Sequence, residues 1–317
     1  MTFLLRAFKS ENYFWKYIVG SILIIIASTL GQLPLMGFVM AKLISEGKGF
    51  YHINETDLMT VLDKNFTLFL LLFSFLVALY AIYLVLKFLH KQSLLDIITC
   101  RKKIDWKRIF FAFSIWGIFQ IITTIISYYT APEDFVLNFK PLQFAILAVI
   151  AIVMIPIQTS VEELIFRGYL MQGFGLLAKN RWFPLLMTSL IFGLLHLGNP
   201  EVAKMGYITM VYYISTGLFL GILVLMDDGL ELSLGFHAAN NLFTALLVTS
   251  DWTAFQTYSI LKEVSKPEVG LEIVFPVFIV FPILLFVFAK KYNWTNWKEK
   301  LTGKLAVIPE QKNIKND

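Results

Sequence analysis

Apolar residues along this chain come in long unbroken runs, without the alternating or three-and-four spacing of half-buried soluble elements. Eight runs stand out, at about 17–41, 66–86, 109–130, 142–166, 182–197, 205–226, 230–249 and 269–289. Crossing a hydrocarbon layer of about 30 Å takes about 20 residues of helix. The pattern therefore predicts an all-α, polytopic membrane protein with about eight transmembrane helices. The fifth run is the shortest and suits a core helix shielded by its neighbours. No connection is long enough for a separate domain, so residues 1–317 read as one transmembrane domain with a polar tail over about 293–317. No internal repeat is present, which disfavours the repeat-built transporter folds.

Composition agrees with a bilayer. The chain is 57% hydrophobic and 15% charged, against about 25% charged in soluble domains, and its mean hydropathy is +0.70. Arg6, Lys9 and Lys16 precede the first run with no small-residue cleavage site after a short apolar core, so that run is expected to stay as an uncleaved span. The net charge of +5 comes from basic clusters beside the runs, which implies contact with lipid headgroups and no nucleic acid. With the amino terminus inside, the inner segments hold nineteen of the 27 lysines and arginines and the outer loops seven. Cytoplasmic loops carry that excess, so both termini are expected to be cytoplasmic. The mixed apolar and basic stretch Ser93–Arg108 suits an anchor lying in the inner interface. The single cysteine, Cys100, excludes an internal disulfide.

Within the runs the ionisable residues are Glu162, Glu163 and Arg167 near the end of the fourth, His196 in the fifth and His237 in the seventh. A charge at the centre of a spanning helix costs about 2.5–3.5 kcal/mol on insertion scales, so such residues usually line a site or pathway. Glu163 and Arg167 stand four apart with the acid first, the favourable order for a pair on one helix face. Glu162 is rotated about 100° away and is free to face other helices. His237 and Asn241 share a face, with Asn240 a near competitor for the same direction. Gly193 leaves room for a close helix neighbour. Convergence between helices 4, 5 and 7 would bury the site there. A carboxylate beside an imidazole can activate water, and a second histidine with an amide can stabilise an oxyanion. For Glu162 to reach the depth of His196, the fourth helix must continue through Gly168 to Ala178.

The stretches Glu162-Glu-Leu-Ile-Phe-Arg-Gly-Tyr-Leu170, Ser189-Leu-Ile-Phe-Gly-Leu-Leu-His196 and Gly235-Phe-His-Ala-Ala-Asn-Asn241 resemble, in order and approximate spacing, the three motifs of the CPBP (Abi) family of CAAX-protease and bacteriocin-processing intramembrane peptidases. The resemblance implies a core over about 142–249 and endopeptidase activity on membrane-associated or lipidated peptide or protein substrates. It implies that Glu162 activates water with His196, that His237 and Asn241 stabilise the oxyanion, and that Glu163 and Arg167 support Glu162. It also implies a prokaryotic cell membrane as the setting. No cofactor is expected; the alternative is a zinc enzyme with Glu162, His196 and His237 as ligands, although no HExxH helix is present. A different class remains open, a non-catalytic immunity or scaffold protein of the same fold. The charge asymmetry is tested by a reporter fused after Asp317, which is expected to be active only on the cytoplasmic side; a periplasmic signal would reverse the orientation.

Overall fold

The computed structural model describes residues 2–8, 12–47, 61–266, 270 and 274–305. The beginning of the expected eighth span, at residue 269, and the end of the polar tail, 306–317, lie outside the described residues. The fold is all-α apart from one small sheet. Among the described residues, five helical stretches are long and apolar enough to cross a membrane: Phe14–Ser45, Lys64–His90, Trp106–Thr130, Pro141–Ala178 and Thr209–Asp227.

The first stretch is two helices, α1 (Phe14–Gly31) and α2 (Leu33–Ser45), interrupted at Gln32. Pro34 follows the break and has no N–H to give to the preceding turn. Asp63 starts α3 (Lys64–Leu84) by accepting from the Asn65 and Phe66 amides at 3.0 and 3.2 Å, and a π-helical turn carries it on to His90. After α4 (Leu94–Ile98) comes α5 (Trp106–Thr130). The fourth stretch begins as α6 (Pro141–Glu163), widens into a π-helix over Leu164–Leu170 and ends as α7 (Met171–Ala178). This is the continuation that the depth of His196 required.

The other expected spans are shorter. The helix α8 (Trp182–Leu194) has 13 residues, about 20 Å at 1.5 Å per residue, and ends before His196. The apolar Leu195 and Leu197 extended the sequence pattern, but the backbone turns there, ahead of Pro200 at the start of α9 (Pro200–Met205). After α10 (Thr209–Asp227), α11 (Glu231–Leu247) has 17 residues, most of them buried. It packs along α5 and α6 and needs no full lipid-facing length. The last apolar segment is a π-helical turn, Pro276–Val280, leading into α12 (Phe281–Tyr292), and a short helix, α13 (Trp297–Thr302), follows.

The bundle has two distinct ends. At the end that carries the amino-terminal turn and α13, arginines of the basic stretch meet protein acids. Arg101 pairs with Asp227 and Glu231, each at 3.0 Å, and Arg108 pairs with Asp227 and Asp105. Glu231 is fully buried in the first turn of α11, where a carboxylate favours the helix dipole. Asp96 bonds Arg6 at 2.6 Å; burial pushes its carboxyl up, but hydrogen bonds from Ser93 and the Arg6 charge outweigh this and hold it below the usual range. Burial pushes the Cys100 thiol up, which makes its nucleophilic thiolate scarce. At the opposite end, β1 (Phe135–Leu137), β3 (Leu261–Glu263) and β2 (Val248–Thr249) form a sheet in the order β1-β3-β2, antiparallel then parallel, with Phe135 opposite Glu263 and Val248 opposite Leu261.

Close approach of α8 and α10 positions the site. A Cβ added at Gly217 would stand 3.0 Å from the Ser189 Cα and carbonyl oxygen, and one at Gly193 would stand 3.2 Å from the Ile214 backbone. Gly217→Val is therefore expected to lower stability by about 1–3 kcal/mol through overpacking, read as a lower thermal midpoint of the purified protein in detergent. An unchanged midpoint would contradict the contact.

Candidate active site

The fourth stretch turns from α to π geometry directly after the glutamate pair, and the wider turns place Arg167 below Glu163. Arg167 Nη1 donates to Glu163 Oε1 at 2.9 Å with both side chains fully buried. Its Nη2 donates to the Gly217 carbonyl at 3.3 Å, and its guanidinium lies 4.2 Å from the Phe192 ring centre. The close helix contact at Gly217 thus supplies the acceptor, and Phe192 of the second motif supplies an aromatic face for the cation.

Glu163 has a second partner that spacing along one helix could not show. The same oxygen, Oε1, accepts from His237 Nδ1 of α11 at 2.8 Å. A carboxylate only accepts, so Nδ1 carries the proton, and Nε2 is left facing Glu162 Oε2 at 3.4 Å. His237 therefore bridges the two glutamates. Glu163 supports His237 as well as Arg167.

The remaining oxygen of Glu162 accepts from Gln158 Nε2. Gln158 in turn accepts from Asn241 Nδ2 at 3.0 Å, Asn241 Oδ1 accepts from Asn240 at 3.0 Å, and Asn240 Oδ1 accepts from Trp116 Nε1 at 3.1 Å. Every link runs donor to acceptor toward Glu162. Asn240 and Asn241 thus belong to one relay in series, with Asn241 nearer the carboxylate. Gln158 went unremarked in the sequence because it is neutral; its signal is the spacing of four from Glu162 in an otherwise apolar helix.

His196 sits in the turn after α8. Its Nδ1 bonds the Phe192 carbonyl at 2.7 Å, so this nitrogen is the donor and Nε2 is an acceptor when the ring is neutral. The ring stacks on Tyr213 with centres 4.3 Å apart and touches Phe192 at 4.6 Å; Phe192 also lies 6.1 Å from His237. Phe192 is thus the hub that brings His196, His237 and Arg167 into one cluster. The direct side-chain partners of Glu162 are Gln158 and His237. Among the described residues no three His, Cys, Asp or Glu side chains are grouped as metal ligands would be.

A second buried polar group lies nearby. His90 bonds Asn12 and the Tyr169 hydroxyl, each at 2.8 Å, and Tyr169 donates to the Lys16 carbonyl at 3.2 Å. Tyr169 belongs to the first motif, so this group ties the motif helix to the amino-terminal segment.

Residues 141–243 match the model of a family described as type II CAAX prenyl endopeptidase Rce1-like. This segment belongs to the CAAX-protease (CPBP) family. The Bacillus subtilis (strain 168) protein YyaK, described as uncharacterized, is 29% identical over 250 residues, covering 78% of this chain and 83% of YyaK. No solved structure matches significantly. The CAAX-protease segment carries all three sequence motifs, and its family is one of membrane-embedded endopeptidases.

Burial makes the ion group testable as a structural unit. Arg167→Met leaves Glu163 without its cationic partner and is expected to destabilise by about 3–5 kcal/mol, whereas Glu163→Leu together with Arg167→Met removes both charges and recovers part of that loss. Thermal unfolding of the three proteins in one detergent checks the order; equal midpoints for the single and double variants would contradict it.

Proposed function

We propose that this chain is an intramembrane endopeptidase in which Glu162 activates water for attack on a peptide bond of a membrane-associated substrate. The observation that carries this reading is the contrast in exposure within one cluster. The Glu162 side chain is 17% exposed while Glu163 and Arg167 are at 0%. Glu162 is thus open to a reactant, with one oxygen oriented by Gln158 and the other facing His237. The fully buried pair is committed to support.

The tautomers assign the roles. His196 Nε2 is a free acceptor and can hold one hydrogen of the attacking water, while Glu162 takes the other proton. As the water oxygen bonds the carbonyl carbon, negative charge passes to the carbonyl oxygen. The second hydrogen of the Asn241 amide is the available donor for that oxyanion, and His237 Nε2 joins it when the ring carries a second proton. Glu162 then gives its proton to the departing amine nitrogen as the carbon–nitrogen bond breaks. The proposed steps use only these side chains and water.

The substrate class is a peptide or protein held at the membrane, lipidated or not, and the setting is a prokaryotic cell membrane with both termini cytoplasmic. The bacterial relative and the charge asymmetry support that setting. Glu162→Gln keeps the size of the side chain and its contact with Gln158 but removes the base. It is expected to lower cleavage by at least about 10²-fold while elution and melting in detergent stay as in the wild type. Mass spectrometry of membrane fractions from cells carrying either form supplies the substrates. Undiminished cleavage by the variant would sink the proposal, and loss of wild-type cleavage on adding a chelator would replace it with the zinc alternative.

A further inference from the structure

A cavity of about 320 Å³ opens at the sheet end of the bundle, lined by Glu201, Thr209, Tyr212, Tyr213 and Trp252 among others, within the size range of small ligand sites. It adjoins the candidate site through one ring, since Tyr213 stacks on His196 and donates its hydroxyl to Glu201 Oε1 at 2.6 Å. The other partners of the Glu201 carboxylate are the Asn199 amide at 3.2 Å and the Ala254 backbone N–H at 3.2 Å. All three are uncharged donors. No described lysine or arginine pairs with Glu201, and Lys204, three residues on, is exposed to solvent. The indole N–H of Trp252 is buried without a partner among the described residues.

No described cation pairs with this carboxylate, which leaves it as a partner for one, and aromatic rings beside it add attraction for an organic cation. We propose that this cavity is a specificity subsite for a lysine or arginine side chain of the substrate, close to the bond that is cut. The proposal rests on the peptidase reading, because continuity with His196 is what makes the occupant a substrate segment. Extended chain advances about 3.3–3.6 Å per residue, so one ring's separation from His196 places the basic residue within about four positions of the scissile bond.

The test uses the full chain in detergent and apolar twelve-residue host peptides in which a single lysine or norleucine is scanned through every position. Wild-type cleavage is expected to favour lysine over norleucine at one position near the cut by about ten-fold. Glu201→Gln, which keeps the hydrogen-bonding size, is expected to move that ratio toward one through KM. Binding is read separately, by fluorescence anisotropy of the same peptides on the Glu162→Gln protein. The same lysine preference is expected there and is expected to vanish in the Glu162→Gln, Glu201→Gln double variant. Absence of a lysine preference in both readouts overturns the subsite. So does a preference that survives Glu201→Gln, or binding of phosphatidylethanolamine headgroups with no discrimination between the peptides. A lysine preference in binding with no cleavage by the wild type supports a site for a basic side chain in this cavity while overturning the peptidase reading, and with it the placement beside a scissile bond. If Glu201→Gln fails to fold, the wild-type scan still decides.

Discussion

Charge does not stay in a bilayer unless it is neutralised and hydrogen-bonded, and here that requirement falls on one carboxylate oxygen. Glu163 Oε1 accepts from both Arg167 and His237. The first contact lies within the fourth stretch; the second crosses to α11 and fixes the rotation of one helix against the other. It also selects the imidazole tautomer, which leaves Nε2 toward Glu162. A fully buried ion pair and a partly exposed carboxylate, adjacent in sequence, are both held by the same buried group.

The ends of the bundle divide the remaining work. At the charged end, Arg101 holds Glu231 in the first turn of α11, which sets the height at which His237 meets the glutamates. At the sheet end, the connections are longer, the helices stop short, and a cavity is left beside His196. Ion pairs are concentrated at the first end, and the cavity lies at the second.

Much of this was legible in the sequence because hydropathy and helical spacing are local. The runs located the helices, the spacing of four paired Glu163 with Arg167, and Gly193 indicated a tight contact that proved to be with Ile214. Relations between helices were not legible. Nothing in the order of residues distinguishes His196 from His237 as the direct neighbour of Glu162, since that depends on how α11 rotates against the fourth stretch. Gln158 was passed over because a neutral amide carries little insertion penalty to draw notice. Glu201 lies between two apolar runs and Tyr213 reads as one more aromatic residue, so their meeting needs the turn that follows α8. Length along the chain was hard to read for a related reason: α11 is mostly buried among its neighbours and need not match the bilayer's thickness, while α8 is cut short by the turn ahead of Pro200.

The π-helical segment Leu164–Leu170 can be viewed as one extra residue absorbed into a helix. Glu163 on its near side bonds toward α11; Tyr169 within it and Gln172 beyond it bond toward the amino-terminal segment and the basic stretch. Removing a single residue would return the segment to α geometry and swing everything after it by about 100°. The half of the helix that bonds toward α11 and the half that bonds toward the amino-terminal segment would then no longer face their partners together. The segment acts as a phase setter, and its length is as much a part of the site as any side chain in it.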